Sequence, residues 1–319
     1  MLSFLNIAWN ATRELSRQPL VLILITAPPV FMLFMAHVPY LALESENELV
    51  KDSTLAILFV VGLLAAVFCA SNTLAREIRT GTALAVLAKP VSRVKFLLAK
   101  YVGVSFALFL VVYVNLMAAL LTSRVIPDFA DTLDPPGLFL FLGGMLLGIL
   151  LAGYTNFFQH RQFVGDAVMG IVAFTTLGFL LLNFLDRAWQ WQSFADLIDW
   201  RILGAGILIM FAVLVLGGIA LACSTRLEMI PTLAICAIFF MIGLMTDYIF
   251  GRAAAEGSMI AQVLYAVFPN WQLFWMVDAI EGETNIPVAY LVHAFIYVVC
   301  YLTATLSIAA ALFEDRELA

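Results

Sequence analysis

The sequence predicts an all-α, polytopic helical membrane protein, and three observations predict it. Hydrophobic residues make up 64% of the 319 residues and charged residues only 12%, against roughly half and a quarter in a soluble domain. Mean hydropathy is +1.03. That is more apolar surface than one globular core can hide, so lipid is the solvent for most of the chain. The apolar residues also come in continuous runs rather than in period-2 alternation, which selects helices over a transmembrane barrel.

The elements follow in order. In residues 1–18 the basic side chains come after the apolar ones and no small-residue cleavage site follows, so the stretch does not read as a signal peptide. Leu5, Ala8, Trp9 and Leu15 can share one helical side, with Asn10, Arg13, Glu14 and Arg17 on the other. This predicts an amphipathic helix lying in the membrane interface. Eight runs long enough to cross ~30 Å of hydrocarbon come next, at 19–41, 54–75, 95–121, 137–158, 164–185, 202–222, 229–250 and 287–312. Pro28-Pro29 should kink the first. The run 164–185 begins with Asp166 and carries interior glycines.

The links alternate in character. Arg13, Arg17, Arg76, Arg79, Lys89, Arg93, Lys95, Lys100, Arg161, Arg226 and Arg316 fall on one side, which is 11 of the 16 Lys and Arg; Lys51, Arg124, Arg187, Arg201 and Arg252 fall on the other. Positive charge stays inside, so both termini are expected in the cytoplasm of a cell (inner) membrane. The acids of "ESENELVKD" and "PDFADTLDPP" favour the outer set. All six tryptophans lie outside the eight runs, where interfacial Trp belongs. The segment "DRAWQWQSFADLIDWR" reads as an amphipathic stretch on the outer surface. "MIAQVLYAVFPNWQLFWMVDAI" reads as another, or as a segment that dips back into the membrane.

Enzyme chemistry finds no residues to carry it. Cys69, Cys223, Cys236 and Cys300 sit in apolar runs at no recurring spacing and read as small fillers within helices. There is no HExxH, no GxSxG and no paired intramembrane aspartates. No cofactor or metal is expected in this chain, and nucleic acid is not expected as a partner; membrane lipids are. Ion-driven carriers place carboxylates or discontinuous helices near the midplane, and the runs show neither. Tyr113 and Asn115 read as interhelical hydrogen-bonding groups. Without a GxxxxGK[ST] the chain has no P-loop of its own, so any ATP must be hydrolysed on another polypeptide.

The segment "LAREIRTGTALAVLAKPVSRVKFLLAK", 74–100, concentrates six of the cations between two runs. Gly81-Thr82 supplies a turn and an N-cap. Leu84, Leu87, Ala88 and Val91 follow i, i+3, i+4, i+7 spacing along one face. Pro90 ends the short helix 83–89 at Lys89, and Ser92 can cap the next one. An apolar ridge within a ring of positive charge could rest on anionic lipid or dock into a groove on a soluble partner.

Glu77, Gly81-Thr82, Leu87, Lys89-Pro90-Val91-Ser92-Arg93 and Lys100 resemble the loop between the second and third spans of ABC-2-type (type V) ABC exporter permeases. "STRLEMIPTLAICAIFF" resembles the entry to that family's penultimate span, "FPNWQLFWMVDAI" the outer segment before its last one, and "YLTATLSIAAALFEDREL" the last span with its charged tail. The resemblance covers roughly 1–121 and 202–319. Against the family's usual six spans this chain has an apparent inserted pair at 137–185. The resemblance implies a coupling loop at 76–94, with Glu77, Gly81, Thr82, Leu84, Leu87, Lys89, Pro90 and Arg93 at the ATPase contact. It also implies a separate ABC ATPase subunit carrying ATP and Mg, and a second permease copy, identical or related. Two other readings stay open: a non-transporting membrane component of an ATPase-linked complex, and a stand-alone carrier, channel or scramblase.

Overall fold

The computed structural model describes residues 2–37, 46–79, 92–125, 134–277 and 285–314. Helix α1 is Leu2–Leu15, α2 Pro19–His37, α3 Glu46–Arg79, α4 Arg93–Val125, α5 Pro135–Gln159, α6 Phe163–Leu182, α7 Arg201–Ser224 and α8 Met229–Leu244. A π-helical turn, Asp247–Gly251, leads into α9 (Arg252–Ala255) and α10 (Met259–Val267); a 3-10 turn, Trp271–Phe274, then precedes α11 (Val288–Glu314). One isolated bridge, Leu185 to Trp191, is the extended pairing among the described residues. Seven helices, α2 to α7 and α11, are long and apolar enough to cross a membrane.

The helix ends fall into two sets. Arg93, Arg161 and Arg226 lie at one, the basic end; Lys51, Ser123, Asp199 and Asn285 meet at the other. There Lys51 Nζ donates to Asp199 Oδ2 at 2.7 Å. Burial alone would raise the Asp199 carboxyl, but Lys51 and the backbone N–H of Arg201 hold it below the ordinary carboxylate range.

Helix α4 is the hub of the packing. In its most apolar stretch 72% of residues are buried, as in α7, against 17% for α11. Gly62 of α3 lies against Val213 of α7, and Gly206 of α7 against Leu116 of α4; small residues let the backbones close up where lipid gives no hydrophobic drive for helix association. α2 runs through Pro28 and Pro29 as one helix. Pro28 has no N–H, so the Leu24 carbonyl four residues earlier loses its helical donor. Asn115 of α4 replaces it: its Nδ2 donates to Leu24 O at 3.0 Å and to Val111 O at 2.8 Å. Asn115 therefore is the interhelical group that the sequence suggests, and Tyr113 pairs likewise with Thr176 of α6.

α1 packs Ala8, Ala11, Thr12 and Leu15 on the bundle, with Thr12 Oγ1 donating to Gly103 O at 3.1 Å. The sequence puts Leu5 and Trp9 on the same side as Ala8 and Leu15; in the structure Leu5 and Trp9 stay exposed. The buried strip is narrower because Gly103 admits the small residues Ala8 and Ala11 closely and leaves the larger side chains outside.

α5 and α6 form a tight antiparallel hairpin, and the segment at 164–185 contains a continuous helix of 20 residues, Phe163–Leu182, long and apolar enough to cross a membrane. The pair closes through glycines: a Cβ on Gly148 would lie 2.5 Å from Ile171 N, one on Gly144 2.8 Å from Phe174 O, and one on Gly178 2.6 Å from Leu140 O. The turn at the basic end is fixed by Asp166, which accepts from Thr155 Oγ1 at 2.8 Å and from Arg161 at 2.9 Å. At the opposite end Arg124 and Asp134 form a fully buried ion pair, Nε to Oδ2 2.8 Å. Asp134 also accepts from Gly137 N at the start of α5, and Arg124 donates to Leu182 O and Leu185 O at the end of α6.

The run 229–250 departs from the sequence reading. α8 stops after 16 residues, about 24 Å of rise, and the chain bends by 59° into Asp247–Ala255. Residues 259–277 then re-enter the bundle. Tyr301 lies 13 residues into α11, about 20 Å from its start, and its hydroxyl donates to Val267 O at 2.7 Å. Phe268 packs on Phe239 at 4.9 Å, and the chain returns past Leu273 O, which accepts from Tyr290. Two of the tryptophans read as interfacial are thus internal. Trp271 is fully buried over Gly243 and donates to Phe239 O at 3.3 Å; Trp275 packs on Phe59. Trp9, Trp189, Trp191 and Trp200 are exposed. The expectation of no discontinuous helix fails here, because apolarity runs through the bend without marking it.

Two outcomes test this packing by thermal unfolding in detergent. Gly148→Ala should destabilise by about 1–3 kcal/mol through overpacking, whereas Gly143→Ala, which faces open space, should stay within about 0.5 kcal/mol. Arg124→Met alone should cost about 3–5 kcal/mol by stranding a buried carboxylate, and adding Asp134→Leu should recover part of that loss.

Candidate coupling site

Of the residues that the sequence nominates, Gly81, Thr82, Leu84, Leu87, Lys89 and Pro90 lie outside the described residues. Glu77 falls on the last turns of α3, and Arg93 opens α4. The start of α4 is built as its sequence suggests: Ser92 Oγ accepts from Lys95 N at 3.3 Å and Ser92 O from Phe96 N at 3.0 Å, which satisfies donors that the first helical turn leaves orphaned.

Arg93 turns toward the end of α11. Its guanidinium donates to Phe313 O at 3.1 Å and to Glu314 O at 2.8 Å. The last carbonyls of a helix have no intrahelical donor and carry the negative end of its dipole, so a cation there both caps and neutralises. Just behind it Phe96 stacks on Phe313, with centroids 6.0 Å apart. The Lys100 ammonium, nearly fully buried, lies 5.7 Å from the Phe96 ring centroid, within reach of a cation–π attraction. The sequence places Arg93 in a ring of loop charge; the structure makes it a clamp between α4 and α11. The partner carbonyls belong to residues 220 positions away, and no spacing rule connects them.

The arms of the loop are long and well anchored. α3 has 34 residues and α4 has 33, about 50 Å each against ~30 Å of hydrocarbon. α1 meets α4 at Gly103, 10 residues after Arg93 and so about 15 Å along the axis. The start of α4 at Arg93 therefore lies well past the level of α1. On α3 the residues leading to it, Cys69, Ala70, Ser71, Thr73 and Leu74, are buried in the bundle. No group of His, Cys, Asp or Glu suited to a metal ion occurs among the described residues. What this arrangement can do is transmit force: a push on the loop reaches two core helices directly and α11 through Arg93.

Residues 13–158, from within α1 to the end of α5, match the family described as ABC-2 family transporter protein, which bears out the resemblance read from segment 74–100. The match ends inside the helix pair 137–185. Comparison with curated proteins yields no match.

Arg93→Met should fray the end of α11. Hydrogen exchange at residues 309–314 should quicken roughly fivefold, as expected for loss of about 1 kcal/mol of capping and dipole stabilisation, with the amides of α6 unchanged and Arg93→Lys intermediate.

Proposed function

We propose that this ABC-2-family membrane component is the permease subunit of an ATP-driven exporter. A separate ABC ATPase subunit, holding ATP and Mg, docks under the basic end. The basic end faces the cytoplasm, as the Lys and Arg distribution favours, which puts both termini there in a cell (inner) membrane. The short helix 83–89 offers the ridge of Leu84 and Leu87 to a groove on the ATPase. Gly81 and Thr82 start it and Pro90 stops it; Lys89 lies on its cationic rim, and Glu77 adds a polar contact from α3. Arg93 takes a different part from the others: engaged with α11, it passes the movement on. Since one chain offers one such helix, the working unit contains two permease copies, identical or related, and two ATPases.

The observation that carries this reading is the mounting of the loop. Both of its arms are core helices that project past α1, so displacement of residues 80–91 would rotate or shift α3 and α4 together. A loop serving only topology would need no such arms. Export of a lipid, an amphipathic molecule or an apolar peptide fits spans whose middles hold few ionisable groups.

The test uses the chain co-expressed with its ATPase. Leu84→Ala with Leu87→Ala removes two apolar anchors of the kind that dominate interfaces. Copurification of the ATPase should fall about tenfold or more and substrate-stimulated ATP hydrolysis should vanish, with the thermal unfolding of the permease unchanged. Full association and transport in the double variant would overturn the docking assignment. ATPase association without any transported compound would favour the non-transporting reading.

A further inference from the structure

A cavity of 770 Å³ opens on the bundle surface between α7, α8, α10 and α11, a size typical of small-molecule sites. Ile219, Phe239, Val267, Tyr301 and Ile308 line it, and Arg226 stands at its mouth on the basic end. The wall is apolar; the hydroxyl of Tyr301 is already donated to Val267 O. Arg226 is exposed, two residues beyond the end of α7, and is in none of the ion pairs formed among the described residues. Glu228, the nearest acid in sequence, is also exposed and does not pair with it.

The depth of the cavity relative to α1 indicates what would fill it. Phe96 of α4 faces Phe313 of α11, and α1 crosses α4 at Gly103. Counting back along antiparallel α11 places the level of α1 near Leu306. The lining of α11 runs from Tyr297 to Leu312, about 13 Å to one side of that level and about 9 Å to the other. Gly218 of α7 packs on Leu302, so Arg226, eight residues later on a helix parallel to α11, lies about 6 Å beyond α1 on the basic, water-facing side of the interface. An amphipathic interfacial helix marks the boundary between headgroups and acyl chains. The cavity thus has an acyl-depth apolar part and a cation at headgroup depth.

We propose that this cavity binds an anionic phospholipid, with one acyl chain along α11 and its phosphate at Arg226. A second copy of the chain is a poorer occupant. A symmetric interface through this patch would bring two Arg226 residues onto one face with no acid from the lining between them, and a concave wall does not complement itself. The site requires only the membrane-spanning bundle and is independent of the ATPase reading.

Native mass spectrometry of the full chain in detergent tests it, titrating phosphatidylglycerol against phosphatidylcholine of identical chains. Phosphatidylglycerol should bind roughly fivefold more tightly, the effect of one cation at a headgroup. Arg226→Gln should abolish the preference and Arg226→Glu should reverse it; both alter an exposed side chain, and thermal unfolding would verify the fold. Ala304→Trp, which fills the cavity, should lower binding of both lipids severalfold, and phosphatidylglycerol should slow alkylation of Cys300, another lining residue. Equal binding of the two lipids to the wild type, or a preference that persists in Arg226→Gln, would overturn the proposal. So would efficient bis-maleimide linkage of Cys300 to Cys300 of a second copy in membranes, which would show the groove covered by protein.

Discussion

A helix in lipid leaves its last carbonyls, and any carbonyl opposite a proline, without a donor, and water is not there to supply one. In this bundle α4 supplies donors to four other helices. Asn115 answers the Leu24 carbonyl that Pro28 orphans in α2. Arg124 answers Leu182 and Leu185 at the end of α6. Arg93 answers Phe313 and Glu314 at the end of α11, about 15 Å past the level of α1, where its competitor is water rather than lipid. A fourth donor, the hydroxyl of Tyr101, reaches Leu214 O in α7. Each unmet carbonyl in an apolar medium would cost a few kcal/mol, so the polar side chains of α4 fix where its neighbours stand, while apolar contact, which any lipid tail could also provide, does not.

That division of labour bears on how force could travel. α4 begins where the 80–91 loop ends, so it is the first rigid element that a push on the loop would meet. Its grips on α2, α6 and α11 are directional hydrogen bonds at different depths, which resist sliding better than a greasy surface does. The α5–α6 hairpin is held to the same helix by the Arg124–Asp134 ion pair at one end and by the Tyr113–Thr176 hydrogen bond part-way along. Its own closure, glycine against backbone, makes it a stiff unit. Its buried ion pair with α4 lies at the far end from the loop.

Much of the fold was legible because hydropathy reports solvent, and lipid is the solvent here. The crossing helices, the Ser92 cap and the interhelical role of Asn115 all rest on local chemistry, and local chemistry is what a sequence displays. What was not legible is long-range pairing. Arg124 counts as one of a few outer cations, and nothing in "PDFADTLDPP" says that Asp134 turns inward to meet it. Arg93 reads as a loop charge because its acceptors are backbone carbonyls 220 residues away, and carbonyls have no sequence signature. The break in 229–250 is hidden for a related reason: Trp271 sits over Gly243 just before the bend, a contact between segments that look equally apolar. At the candidate site only Arg93 and the helical position of Glu77 fall within the described residues, so the structure speaks to the mounting of the loop rather than to its ridge.

The re-entrant segment sharpens the choice between an ATP-driven and an ion-driven permease. Discontinuous helices in ion-coupled carriers work by leaving half-helix ends open at mid-depth, where their carbonyls or N–H groups coordinate an ion or a substrate. Here α10 does end inside the bundle, but its end is already occupied. Val267 O accepts from Tyr301, Asn270 Oδ1 accepts from Gln272 N, and Pro269 O presses on Gly243 of α8. The one carboxylate of the broken region, Asp247, lies at the bend and accepts from Tyr265 near the outer end of α8. Val267 O and Asn270 Oδ1 are thus engaged in holding the segment in place. The re-entrant element is gripped by α8 through Phe239 O and by α11 through Tyr301, and both helices reach the basic end where the loop is mounted.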